Sequence, residues 1–85
     1  MKLHKYSSAV CHPCKQLTSI LSQIDLTLYG IEIVEHDIGT KERSELLRLG
    51  IRSVPTLILF DYTGNELKRK VGLMSQQQLE DWLKS

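Results

Sequence analysis

The two cysteines of this chain of 85 residues stand close together, in Ser8-Ala9-Val10-Cys11-His12-Pro13-Cys14-Lys15. A Cys-x-x-Cys pair at a strand-to-helix junction reads as a dithiol that opens and closes a disulfide. The first turn of a helix leaves backbone N–H groups without partners and carries partial positive charge, which favours a thiolate at Cys11. Cys14, three positions on, falls about one turn further along the same face, a separation compatible with a disulfide. Pro13 suits a first-turn position, where its missing N–H costs nothing. His12 is either a spacer or a polarisable neighbour that tunes the Cys11 thiolate.

The bland alternative for a cysteine pair is half of a structural zinc site, filled by His4, His12 or His36. Such a site needs four protein ligands, and the sequence has no second Cys-x-x-Cys and no His-x3-His. His12, between the cysteines, is badly aimed to share their metal, and His4 and His36 read as strand histidines. Redox chemistry is therefore the preferred reading. It implies no metal and no organic cofactor, because the dithiol itself is the redox group.

A chain this short supports one domain, residues 1–85, with a small core to which most elements contribute. With 41% apolar and 25% charged residues the composition is that of a globular protein. A net charge of +1, mixed in sign along the chain, offers no signal for nucleic acid or an acidic membrane surface. Met1 leads straight into strand-like residues without the apolar region of a signal peptide, so a cytoplasmic location is expected. Lone cysteine pairs there are more often redox or metal chemistry than structural disulfides.

The elements that would position the dithiol follow from periodicity and turn chemistry. Residues 2–7 read as a first strand, polar for a place inside a sheet. Leu17, Ile20, Leu21, Ile24 and Leu28 recur at helical spacing from Pro13 to about Tyr29, with Gly30 as the cap. A second strand covers Ile31 to His36. Thr40 is the expected cap of a second helix that buries Leu46, Leu47 and Leu49 and closes at Gly50. Thr56-Leu-Ile-Leu-Phe60 is a continuous apolar run, as for a central strand covered on both faces. Asp61 to Asn65 is a turn, and Glu66 to Val71 returns as an edge strand, with the exposed run Lys68-Arg69-Lys70 guarding it. Ser75 with Gln78 makes a capping box for the last helix, Met74 and Leu79 a hydrophobic staple, and Leu79, Trp82 and Leu83 a core stripe. The fold class is α/β, in the order β-α-β-α-β-β-α, with a four-stranded mixed sheet flanked by helices.

That order, with Cys-x-x-Cys after the first strand, resembles the minimal core of the thioredoxin fold in the thioredoxin/glutaredoxin superfamily. Gly50-Ile-Arg-Ser-Val-Pro-Thr-Leu-Ile-Leu-Phe60 looks like the thioredoxin segment that carries a cis-proline. Val71-Gly72-Leu-Met-Ser75 and Gln78-Leu-Glu-Asp-Trp-Leu83 look like its last strand end and C-terminal helix. Tyr6-Ser7 ahead of Cys11 is closer to a glutaredoxin, and the whole resembles the compact proteins of this kind known from phages and archaea. Thioredoxins hold a buried Asp six residues before the first Cys and a Trp directly before it; here Lys5 and Val10 stand in those places. Lys5 is expected as a solvated strand residue with its stem on the core, or, more sharply, as electrostatic help in deprotonating Cys14. Lys15 is a surface residue that could steer anionic partners.

The resemblance implies a thiol–disulfide oxidoreductase. Cys11 would be the nucleophile and Cys14 the buried resolving thiol. A cis Val54–Pro55 bond would face Cys11, and Val10, Val54, Pro55, Thr56 and Gly72 would line the docking edge. Disulfide-containing client proteins are the implied partners, ribonucleotide reductase among them, with thioredoxin reductase or glutathione as reductant and a monomer as the working form. Within enzymes the alternative is a glutathione-coupled glutaredoxin. Ser53-Val54-Pro55 approximates the Thr-Val-Pro of that family, but its Gly-Gly-x-x-Asp segment is absent from Lys70-Val71-Gly72-Leu73-Met74. The alternative of another class is a thioredoxin-fold binding module with inert or zinc-loaded cysteines.

Overall fold

The computed structural model describes residues 1–85. Its elements are β1 (Lys2–Ser7), α1 (His12–Leu21), a 3₁₀ turn (Leu26–Tyr29), β2 (Glu32–Asp37), a second 3₁₀ turn (Ile38–Thr40), α2 (Arg43–Leu49), β3 (Thr56–Phe60), β4 (Glu66–Val71) and α3 (Gln76–Lys84). The four strands form one sheet in the order β2-β1-β3-β4. β1 and β2 run parallel, joined through α1, whereas β1/β3 and β3/β4 are antiparallel. The mixed α/β sheet and the element order are those expected.

Strand alternation sorts the core into two layers. Leu3, Leu57 and Leu59 face α1 and α3 and meet Leu17, Leu21, Leu79 and Leu83. Tyr6 and Ile58 face the other way, where Leu46 and Leu49 of α2 and Ile51 pack on them. The first strand sits inside the sheet despite its polar sequence because its polar residues find partners. His4 packs edge-on against Phe60 at 4.8 Å, and Tyr6 stacks on His36 at 4.4 Å. The ring nitrogens His4 Nδ1 and His36 Nε2 lie 2.7 Å apart, so one donates and the other accepts.

Six expectations need correction. The helix expected from Pro13 to Tyr29 is broken after Leu21. The Ser22 hydroxyl donates to Ser19 O, and the Asp25 carboxylate accepts from Thr27 N–H and starts the 3₁₀ turn, local bonds that compete with a continuing helix. Ile24 still enters the core, while Leu28 is 82% exposed. Thr40 does not cap α2: its hydroxyl donates to Asp37 O, and Glu42 is the N-cap without a side-chain bond. Leu47 points to solvent, and Leu46 and Leu49 are half-buried. The basic run on the edge strand β4 is only partly exposed. The Lys68 ammonium donates to the carbonyls of Trp82 and Ser85 and lies 5.2 Å from the Trp82 ring centre, and Arg69 donates to Leu49 O. Trp82 itself is half-buried at the rim of the core. Finally, Lys5 is not solvated: it is 1% exposed.

Gly30 and Gly50 end their helical turns in the left-handed region expected of them, at φ 67° and 74°. The Ser75–Gln78 capping box is complete in both directions, with Met74 and Leu79 both buried. No helix is long and apolar enough to cross a membrane.

Candidate functional site: a dithiol at the start of a helix

Cys11 is the N-cap of α1, with extended backbone, and its Sγ accepts a hydrogen bond from the Cys14 backbone N–H at 3.1 Å. The sulfur thus takes the place that a Ser or Asp oxygen holds at other helix starts. His12 and Pro13 fill the first two helical positions. Pro13 lacks an N–H, so the Cys14 N–H, at the third position, is the donor. Cys11 and Cys14 are joined as a disulfide with Cα atoms 5.2 Å apart, inside the range such a bridge needs.

The two sulfurs differ in access. Cys14 is 2% exposed on the inner face of α1 with Leu17 and Leu21, whereas Cys11 is only half-buried. Val10 beside it is 92% exposed. His12, Pro13 and Lys15 are all exposed.

The loop before β3 comes up against the outer sulfur. Cys11 Sγ lies 3.9 Å from the Val54 carbonyl oxygen, and the Val54–Pro55 bond is cis. Pro55 is buried and Val54 half-buried. The Thr56 side chain is buried too, and its hydroxyl donates to Ser53 O at 2.8 Å, which closes the loop on itself. Gly72, at φ 94°, donates its N–H to Pro55 O at 2.9 Å. That bond ties the end of β4 to the loop. Cys11, Cys14, Val54, Pro55, Thr56 and Gly72 therefore converge on one end of the sheet, with Val10 at its rim.

No group of three or more His, Cys, Asp or Glu side chains is placed to hold a metal ion. A cavity of about 630 Å³ between Met1, His4, Phe60 and Tyr62 lies at the far end of the sheet from the cysteines. Burial lowers the pKa of His4 and of His36, and neighbouring positive charge adds to it: His36 itself, Lys2 and Lys41 on His4, and Lys41 on His36. Burial raises the Tyr6 phenol, with Glu45 acting in the same sense.

Sequence reasoning missed the environment of Lys5. Its Nζ is 3.3 Å from Glu35 Oε2, on the neighbouring strand in direct register. The signal was available: Lys5 is two residues from Leu3, so period-two alternation places both on the same covered face.

Comparison with known proteins agrees with this geometry. A family model described as a thioredoxin-like domain matches residues 3–85. The chain is 35% identical over 74 residues to thioredoxin of Rickettsia conorii, covering 86% of this chain and 69% of that one. It is 30% identical over 84 residues to the SPbeta prophage-derived thioredoxin-like protein YosR of Bacillus subtilis, covering 99% and 96%. A mutant thioredoxin from Halobacterium salinarum superposes with a TM-score of 0.81 at 24% identity, over 98% of this chain and 71% of that one, a likeness of fold. Fold and cysteine pair together define a thiol–disulfide oxidoreductase of the thioredoxin kind. The chain belongs to the thioredoxin-like family.

Proposed function

We propose that the protein reduces disulfides of client proteins, with Cys11 as the attacking sulfur and Cys14 as the resolving one. The observation that carries this is the asymmetry of the pair. Cys11 stands at a helix N-terminus, half-buried, against the Val54 carbonyl, while Cys14 is enclosed. A thiolate on Cys11 is stabilised by the Cys14 N–H and the helix terminus. It attacks a client disulfide and forms a mixed disulfide. Cys14 then attacks Cys11 and releases the reduced client. Val54 offers its backbone as a strand-like edge for the client, Pro55, Thr56 and Gly72 hold that edge in place, and Val10 adds exposed apolar surface.

The dithiol is the redox group, with no further cofactor. Ribonucleotide reductase is one client that the resemblance suggests, and thioredoxin reductase or glutathione recharges the pair. The protein works as a cytoplasmic monomer, apart from membranes and nucleic acid. The test is reduction of insulin disulfides, with dithiothreitol as electron source, by the wild type, Cys11→Ser and Cys14→Ser. The expected result is turnover by the wild type alone, with Cys14→Ser accumulating a mixed disulfide on Cys11 and Cys11→Ser forming none. Trapping on Cys14 would overturn the assignment of roles. Fast turnover of a glutathione mixed disulfide, with little on insulin, would instead favour a glutaredoxin.

A further inference from the structure

The charges of this chain are unevenly placed around the dithiol. Three stretches build the site: the run from Tyr6 into α1, the loop that leads into β3, and the end of β4 with the start of α3. No Asp or Glu occurs between Lys5 and Asp25, between Glu45 and Asp61, or between Glu66 and Glu80. Those same intervals carry Lys15, Arg48, Arg52, Lys68, Arg69 and Lys70. A net charge of +1 thus conceals a site whose three segments hold cations only.

Some of these cations are engaged within the molecule. Lys68 donates to the carbonyls of Trp82 and Ser85, and Arg69 to Glu66 and to Leu49 O. Lys15 and Arg52 are exposed and take no part in the chain's ion pairs, Lys5–Glu35 and Glu66–Arg69. Both are tied to Cys11 through the backbone. The Lys15 N–H donates to Cys11 O at 3.3 Å. At that four-residue spacing two side chains share a helix face, about 5–6 Å apart at Cβ. Helical side chains lean toward the N-terminus, so the Lys15 ammonium reaches back toward Cys11. Arg52 stands two residues before Val54, at most ~7 Å along the chain, and Val54 O lies 3.9 Å from Cys11 Sγ. The carboxylates at this end of the sheet belong to its other side. Asp37 ends β2 opposite Ser7, across β1 from β3, and its Oδ1 accepts from Gly39 N–H at 2.9 Å. Glu42 and Glu45 follow it, interspersed with Lys41 and Arg43.

We propose that the site selects clients whose disulfide is flanked by acidic residues, and that Lys15 and Arg52 are the groups that select them. The inference rests on the client-reducing role given to Cys11 above and names the class of client: a protein that presents its disulfide in an acidic, extended segment. A client strand laid along the Val54 backbone sets its attacked sulfur at Cys11 and brings its flanks within reach of Arg52 and Lys15. Carboxylates on those flanks meet cations, whereas lysines meet like charge. Exposed charges of this kind act on encounter and on choice of partner, and salt weakens them.

The test uses three cystine-loop peptides of one length, with Glu, Gln or Lys on both sides of the disulfide. Reduced protein, freed of reductant, is mixed with each at low salt. The dithiol gives two electrons and two protons to the peptide as the Cys11–Cys14 bond closes, and quenched alkylation with mass follows the rate. The Glu peptide is expected to react about fivefold faster than the Gln peptide, and the Lys peptide slower than both. In about 1 M sodium chloride, where the Debye length is about 3 Å, the differences should vanish. Lys15→Gln with Arg52→Gln is expected to bring the three rates together, and Lys15→Arg with Arg52→Lys to keep them apart. Removing the Lys15 charge also acts on the Cys11 thiolate, but that changes all three rates alike, so their ratio reports selection. Equal rates in the wild type, or a ratio that the Gln variant leaves unchanged, overturn the inference and leave disulfide reduction standing. Equal peptide rates beside faster reaction with a glutathione mixed disulfide would overturn it too, assigning the cations to the glutathione carboxylates. Oxidation by none of the peptides would refute the proposed function, and this inference with it.

Discussion

Reduced protein with Cys14→Ser isolates Cys11 and exposes what the helix start does to it. The serine keeps the backbone N–H that points at Cys11 Sγ from 3.1 Å. A hydrogen bond to an ionised acceptor contributes roughly 1.5–3 kcal/mol, and an exposed helix terminus about 0.3–1 kcal/mol. The neutral thiol retains part of the same bond, so the difference between its two forms is smaller. At 1.36 kcal/mol per pH unit, the thiolate midpoint should lie about one to two units lower in the native state than in the urea-unfolded chain. His12 contributes less. It is exposed, and a full charge about 6 Å away in water is worth roughly 0.7 kcal/mol, about half a unit. His12→Ala is therefore expected to raise the midpoint by about half a unit or less. Thiolate absorbance against pH, in native buffer and in urea, measures both quantities. Equal native and unfolded midpoints would refute the role of the helix start. A His12→Ala variant that lost the whole shift would assign it to the imidazole instead.

Other expectations bear on the scaffold. Leu17, fully enclosed under α1 beside Cys14, should cost about 2–5 kcal/mol when cut to Ala; urea unfolding checks this, and a loss well below that range would mean that α1 is loosely held. Gly72→Ala puts a Cβ in open space but at φ 94°, so the cost is backbone strain of about 1–2 kcal/mol, and unchanged thermal stability would contradict it. The folded-state pKa of His4 and of His36 is lowered, by burial first. The unfolded chain then binds more protons below the ordinary histidine value of about 6.5, so stability is full above that pH and is lost as pH falls toward the folded values. Urea midpoints between neutral and mildly acid pH should show that fall. It should flatten when both residues are changed to Phe, and an undiminished slope in that variant would place the cause elsewhere.

Much of the site was legible in the sequence because its signals are local. The Cys-x-x-Cys pair, Pro13 in the first turn, the Ser75–Gln78 box and the apolar run Thr56–Phe60 each carry their structure within a few residues. The Val54–Pro55 bond was read only through resemblance, since nothing in that dipeptide distinguishes it from an ordinary turn. The misses came from competition and from partners distant in sequence. Asp25 and Asp37 captured backbone N–H groups and made short turns where periodicity suggested longer helix or a cap at Thr40. The polar residues of β1 looked unsuited to an interior strand because their partners, Glu35, His36 and Phe60, come from other strands. Lys5 shows the cost of judging a residue by type: alternation with Leu3 assigned its face, and only the sheet revealed the enclosure.

The central claim, that Cys11 and Cys14 form one reversible two-electron couple, is tested most directly by equilibrating the protein in glutathione buffers of graded ratio. Rapid thiol alkylation and mass then count the thiols. The expected result is a single transition between a form with two free thiols and one with none, without lasting glutathione adducts. A pair that stays dithiol across all ratios, or that ends as separate glutathione adducts on each sulfur, would contradict it.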